Sequence, residues 1–420
     1  MFSKKNILTS LLFLFFTLII YFLFTTQVIY PTIIPMKVNG VVNIFSDWSV
    51  AINANICFEK GYDVYLDNPC DPWNRKWIYG HILLYLPYIK NFPDFYFIYL
   101  PLIMNLAFLY SIIRFFNFED KIEYLCLFFI ILSTPVILVI ERANMDAAIF
   151  LILILIAKNK NTLINHITLV LTTLLKFYPI SMAIIFLFKN NFKTMAINTL
   201  IFLITVFLIL FLQWEFLSKI LNNISNSSQY SSEIFMGIYT FSFLSGLGFF
   251  SNFEIIINNK DYTFIKYLYL LLVLFLPIII TYSKNFRMVF NNNSISNLFL
   301  KNDSNNRMYI LSTILILFCY FSFTNFIYRE IFLIGLIPWL LQNRKLNENK
   351  FINFYFYVLT FKFLISTICT FLVVNKIFPV LNPLIIFSKH SLDFYLISII
   401  FLIFLSATTS VYKKYFIQSV

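Results

Sequence analysis

Glycine is scarce in this chain of 420 residues: there are seven, and six of them (Gly40, Gly61, Gly80, Gly237, Gly246 and Gly248) fall in two long polar stretches. A glycine-rich phosphate-binding loop is excluded. Charge is also scarce, at 12% of residues, where soluble proteins carry about 25%. That leaves too few charged groups to cover a water-facing surface. Three histidines and five cysteines offer no His/Cys/Asp spacing of a zinc site and no Ser/His triad, so no metal and no cofactor is expected. No basic run exceeds two adjacent residues. The net charge of +12 is therefore not a nucleic-acid patch.

What is present is apolar. Hydrophobic residues make up 60% of the chain, mean hydropathy is +0.81, and apolar runs recur from residue 7 to residue 411. This predicts an all-α integral membrane protein, a single polytopic domain over 1–420 with about 10–12 transmembrane helices. The abundance of Phe, Ile, Asn and Lys matches low-GC codon bias rather than a ligand cage. The first run, Ile7 to Gln27, follows Lys4 and Lys5 but is too long for a signal peptide and lacks a cleavage site, so it reads as a retained anchor. Further spans are expected near 94–113, 122–140, 147–157, 164–178, 179–188, 194–214, 263–283, 308–325, 331–342, 351–375 and 392–411. Three of these are short enough to be half-crossings or parts of bent helices.

Lys and Arg bias sets the orientation. With the N-terminus inside, the inner loops hold 17 basic residues in 66 positions and the outer segments 12 in 141. Both termini are then cytoplasmic, 284–307 is an Asn/Ser-rich cytoplasmic linker, and the polar loops 28–92 and 215–262 share the outer side. Cys57 and Cys70 lie in the first of these loops, either as a disulfide or as two thiols.

Asp47, beside Trp48 in a membrane-hugging stretch, is the acid nearest the end of the first span. Asp63, Asp67 and Asp71 read as solvated loop acids. Trp73, Arg75, Lys76, Trp77 and Tyr79 read as a headgroup-layer belt, with His81 to Ile89 along the surface. Glu141, Arg142, Asn144 and Asp146 sit between two apolar runs, where they must pair or face a watery cavity unless they form an exposed turn capped by Asn144. Lys176 and Tyr178 close another run before Pro179. Lys362 lies in the middle of an apolar stretch and is expected to face protein or a cavity. Arg329 and Glu330 are a local pair or a phosphate contact.

The ordered set SDW…FEKGYDVY…PW…Y, then ERANMDAAIFLILILIA, then LTTLLKFYPISMAIIFLF resembles the polytopic GT-C glycosyltransferases, in particular the family-87 mannosyltransferase-like branch. The similarity covers residues 40–190. It implies a multi-pass protein of the plasma (inner) membrane that moves a hexose, mannose for example, from a polyprenyl-phosphate donor to a lipid or glycan acceptor on the outer face, surrounded by membrane lipids. Asp47 corresponds to the family's catalytic base, with Asp146 the second choice. Asn144 and Asp146 match an Asn-Asp turn, and Lys176 and Pro179 a Lys-x-x-Pro element. Glu141, Arg142, Asn144, Lys176, Tyr178 and Arg329 become substrate-binding candidates, with Arg142, Lys176 or Arg329 at the phosphate. Ala143 stands where related sequences often have Gly. The competing expectations are a transporter or flippase for a lipid-linked glycan, and a glycan polymerase or ligase.

Overall fold

The computed structural model describes residues 4–29, 33, 36–87, 89–116, 118–188, 192–212, 214–228, 238–241, 295, 298, 301–322, 326–347, 350–378 and 381–412. The chain divides into two compact units, Met1–Ile180 with Ile201–Gln229, and Ser181–Leu200 with Tyr230–Val420. Among the described residues the architecture is helical apart from one two-stranded ribbon, β1 (Lys37–Val38) and β2 (Val41–Val42), which pair antiparallel.

In the first unit, α1 (Lys4–Thr25) runs along α3 (Leu100–Arg114), and α3 packs on α6 (Met145–Lys158), which packs on α7 (Thr162–Leu175). In the chain between α1 and α3 comes α2 (Ser46–Glu59), a helix of the first polar loop. Helix starts follow the sequence. At α4 (Lys121–Ile131), the Asp120 carboxylate caps the helix by accepting from the Glu123 N–H, and the Glu123 side chain accepts from the Phe118 N–H in the loop before it. At α5 (Thr134–Arg142), Pro135 occupies the first turn, where its missing N–H costs nothing. A break at Leu132 and Ser133 bends α4 against α5 by 48°.

Next in the chain come α8 (Phe192–Leu212), whose residues divide between the two units, and α9 (Trp214–Ser228) of the first unit. In the second unit, α10 (Ser304–Ser322) packs along the 3-10 segment Ile327–Leu336, which leads into α11 (Ile337–Asn347). Then α12 (Lys350–Val374) and α13 (Asn382–Tyr412) pack on each other. A methyl on Gly335 would meet the Ser312 Oγ at 2.0 Å, so the missing side chain leaves room for Ser312 where α10 packs.

Among the described residues, four helices are long and apolar enough to cross a membrane: Lys4–Thr25, Phe95–Arg114, Lys350–Val374 and Leu384–Thr409; the number rises to six if each of two bent pairs is one span. The segment expected at 147–157, one of the three short ones, is the 14-residue α6, which starts at the Asn144 cap, and the one expected at 164–178 is the 14-residue α7, which stops before Lys176; both are shorter than a crossing needs. The expected 179–188 span is a 3-10 segment, Tyr178–Phe188. The expected 263–283 span lies outside the described residues, as does most of the linker 284–307.

Cys57 and Cys70 are bonded to each other across 13 positions, joining the end of α2 to the loop that follows. A closed loop of that size stabilises a fold by about 3 kcal/mol in the chain-entropy account. Cys57→Ser with Cys70→Ser should therefore lower the unfolding midpoint of the purified protein, and reductant should reproduce the shift in the wild type.

Candidate functional site

Asp47 stands in the first turn of α2. The chain enters that helix through Phe45, whose φ of 62° is left-handed. Such a backbone is strained for a bulky side chain, and it is held by the Phe45 N–H bonding the Glu141 carbonyl at 2.7 Å. This bond ties the start of α2 to the end of α5. Trp48 Nε1 donates to the Tyr96 carbonyl at 2.7 Å, and most of α2 is buried. It is thus an interior helix rather than the interfacial one its sequence suggested, and the Asp47 side chain keeps 12% exposure.

The Glu141–Asp146 stretch is the turn between α5 and α6. Ala143 takes a left-handed conformation, φ 46°, as the cap of α5. An L side chain there costs about 1–2 kcal/mol, which is why glycine favours such caps. Ala143→Gly should raise stability by up to about 1 kcal/mol, because relieved strain is offset in part by unfolded-state entropy; thermal unfolding of the two proteins checks it. Asn144 follows as the cap of α6, its Oδ1 accepting from the Asp146 N–H at 3.0 Å. Its Nδ2 donates to the Asp47 Oδ2 at 2.8 Å, so the cap also grips the acid of α2.

Lys176 ends α7 in extended backbone and is buried. Its Nζ pairs with Asp146 Oδ1 in a short contact, donates to Asn144 Oδ1 at 3.3 Å, and lies 5.0 Å from the centre of the Tyr79 ring. The Tyr178 hydroxyl donates to the same Asp146 oxygen at 2.7 Å. Gly80 makes this approach possible: it bonds the Leu175 carbonyl at 3.0 Å, and a Cβ there would sit 1.5 Å from the Leu174 carbonyl oxygen. Asp47, Asn144, Asp146, Lys176 and Tyr178, spread over 132 positions, thus form one hydrogen-bonded chain.

Two guanidinium groups flank Asp47. Arg142 Nη1 lies 3.6 Å from Asp47 Oδ1, and its Nε lies 3.6 Å from Glu141 Oε2. Arg75 Nη1 lies 3.5 Å from Asp47 Oδ1, while its Nη2 donates to the Ser46 carbonyl at 2.8 Å. Arg75 and Asp71 correct the sequence reading. Asp71 is no solvated loop acid but a buried one, receiving Nε and Nη2 of Arg75 at 3.0 and 2.9 Å. This two-point grip aims the guanidinium at Asp47. Trp77 of the expected belt is fully buried. The i, i+4 spacing of Asp71 and Arg75 was the one available signal, and two nearby prolines and the loop composition obscured it.

Asp63 and Asp67 are exposed as expected. Asp63 pairs with Lys219 of α9 at 2.8 Å, and Asn223 of α9 donates to the Tyr65 carbonyl at 2.8 Å. His81 is buried rather than on the surface: Phe216 stacks on its ring at 3.9 Å, and Tyr65 and Tyr85 hydroxyls lie 2.9 and 3.1 Å from its two nitrogens. Burial pushes the His81 pKa down and, with Asp63 adding to the effect, the Tyr65 phenol up.

The second unit holds a separate constellation. Lys362 Nζ lies 2.9 Å from Glu330 Oε1 and 2.6 Å from Asp393 Oδ1, with Ser366 also in contact. Lys389 Nζ lies 3.0 Å from Asp393 Oδ2 and 3.6 Å from Glu330, and donates to the Thr240 carbonyl at 2.8 Å. All four charged side chains are fully buried, two cations against two anions. Lys362 faces protein, as expected. Lys389 was missed because it precedes the expected 392–411 span and reads as outer, whereas α13 begins at Asn382; Asp393 falls just inside that expected span and was not singled out, and the Lys-x-x-x-Asp spacing was the signal. Arg329 is half-buried in this unit, and Glu330 turns to the lysines rather than pairing with it.

Among the described residues, no three His, Cys, Asp or Glu side chains gather as a metal site. No family model matches the chain, and neither a curated protein nor a solved structure matches it significantly.

Proposed function

We propose that the chain is a membrane glycosyltransferase that moves a hexose from a polyprenyl-phosphate donor to a lipid or glycan hydroxyl. The observation that carries this reading is the half-buried Asp47 carboxylate set between two arginines and the Asn144 cap. An acid that retains access beside cations suits a base working next to a departing phosphate. In the reaction, the acceptor oxygen forms a bond to the anomeric carbon and passes its proton to Asp47. The anomeric carbon–oxygen bond to phosphate breaks, and its electron pair leaves with the polyprenyl phosphate. Arg75 and Arg142, with side-chain exposures of 26% and 18%, are the accessible cations for that phosphate. Lys176 is committed to Asp146 and holds the turn that carries Asn144. Asp146, fully buried, is the less accessible acid.

Two observations support an outer-face location at the plasma (inner) membrane. The Cys57–Cys70 bond suits an oxidising compartment, and α9, at the start of the second polar loop, packs on the first loop through Lys219 and Asn223. The test is incubation of the purified protein with polyprenyl-phosphate mannose and glucose, following release of polyprenyl phosphate. No release with any sugar tried and an acceptor-rich membrane extract present would count against transfer.

The buried network of Glu330, Lys362, Lys389 and Asp393 favours a second reading, a transporter or flippase, because buried intramembrane charges commonly line ion and substrate pathways. Flipping of a fluorescent lipid-linked glycan in proteoliposomes, without covalent turnover, would select it.

A further inference from the structure

An apolar cavity of about 360 Å³ lies in the first unit between α1 and α3, lined by Ile20, Phe24, Leu106 and Leu109 and ending at Asn105 and Glu141. It falls at the lower end of the range of small-molecule sites. Its end is polar in one sense only. Neither carboxylate oxygen of Glu141 has a hydrogen-bond donor, although the residue is 1% exposed. Asn105, buried, spends its Nδ2 on the Ile140 carbonyl at 2.8 Å and leaves its Oδ1 without a donor. Arg142 Nε stands 3.6 Å from Glu141, an ion pair without a hydrogen bond. Buried acceptors left in this state are costly, and a donor brought by an occupant relieves them.

We infer that this cavity binds a long-chain lipid alcohol, with its hydrocarbon between α1 and α3 and its hydroxyl donating to Glu141 and Asn105. The polar end selects this occupant. A phosphate would meet the Glu141 carboxylate and be repelled. An ammonium would approach Arg142, which already occupies the cationic place beside Glu141. A neutral hydroxyl supplies the donor without either conflict. The site also has a position in the proposed chemistry, since the guanidinium beside Glu141 reaches Asp47 Oδ1 at 3.6 Å. A hydroxyl held at Glu141 is one arginine away from the proposed base. That the alcohol is the sugar acceptor rests on the transfer reading; that it binds here does not.

The experiment uses the full chain in phosphatidylcholine nanodiscs with two photoreactive probes, a 12-carbon primary alcohol carrying a mid-chain diazirine and the methyl ether of the same molecule. Cross-linked peptides are mapped by mass spectrometry. The expected result is labelling of α1 and α3 by the alcohol at least about tenfold above the ether, the discrimination that a hydrogen bond to a charged acceptor supports. Glu141→Leu should bring the two probes close to equal. Leu106→Trp, which fills the cavity from α3, should remove labelling by both. Equal labelling of the wild type by alcohol and ether would overturn the assignment, since the cavity would then be an ordinary lipid-facing crevice. Discrimination that survives Glu141→Leu would overturn it too. No turnover is measured, so failure here leaves the transfer reading intact, and failure of the transfer assay leaves alcohol binding intact.

Discussion

Asp47→Asn is expected to lower sugar-transfer turnover by about 10²- to 10⁴-fold, the usual worth of a positioned general base. The amide keeps the size and one acceptor oxygen, so the bond from Asn144 can persist, but it no longer accepts a proton. Donor binding and the unfolding midpoint should change little. Asp63→Asn and Asp67→Asn should leave turnover within a few-fold of wild type, because both carboxylates face solvent. Asp71→Asn is expected to fall between them. It breaks the two-point grip on Arg75 and frees the guanidinium that flanks Asp47, so a loss in donor affinity should accompany the loss in turnover. Wild-type turnover in Asp47→Asn would exclude this acid as the base and direct attention to Asp146. Single-turnover assays with a polyprenyl-phosphate sugar separate the binding and chemical effects.

Breaking the second unit's ionic network is expected to have the largest effect on stability. Lys362→Met removes one of two lysines from four fully buried charges and leaves Glu330 and Asp393 sharing Lys389, with only the His390 ring, 3.8 Å from Asp393, as a further basic group. Loss of one partner from a buried pair costs about 3–5 kcal/mol. Glu330→Gln should cost a similar amount, since it leaves two lysines on one carboxylate. Lys362→Met combined with Glu330→Gln restores the balance of one cation and one anion, so the double variant should be far less destabilised than the sum of the singles. Unfolding of all four proteins in the same detergent measures this cycle. Silent single variants would mean that water reaches the cluster, and would strengthen the transport reading.

The candidate site was legible in part. Asn144 reads as a cap and Lys176 as a cation before a proline-started segment because those signals are local: a polar residue between apolar runs, and a ring that cannot continue a helix. Which partners they take was not legible. Asp47 to Asn144 spans 97 positions, and no spacing rule reaches that far. The left-handed Phe45 carries no sequence signal at all, whereas Ala143 was at least marked by the glycine common at its position in the resembling family.

By itself the sequence determined that the chain is helical and apolar, where several helices start and stop, and which polar residues could not be left in lipid. Composition, period and caps act within a few residues, so one chain suffices to read them. Tertiary structure decided the rest: that α2 is buried, that Asp71 and Arg75 point inward, that α13 starts early enough to bury Lys389, and that Glu330 turns to Lys362 rather than Arg329. Each of these is a choice of partner for a charge or an apolar face. Such choices depend on which segments meet, and the desolvation cost of a buried charge requires only that some partner be found.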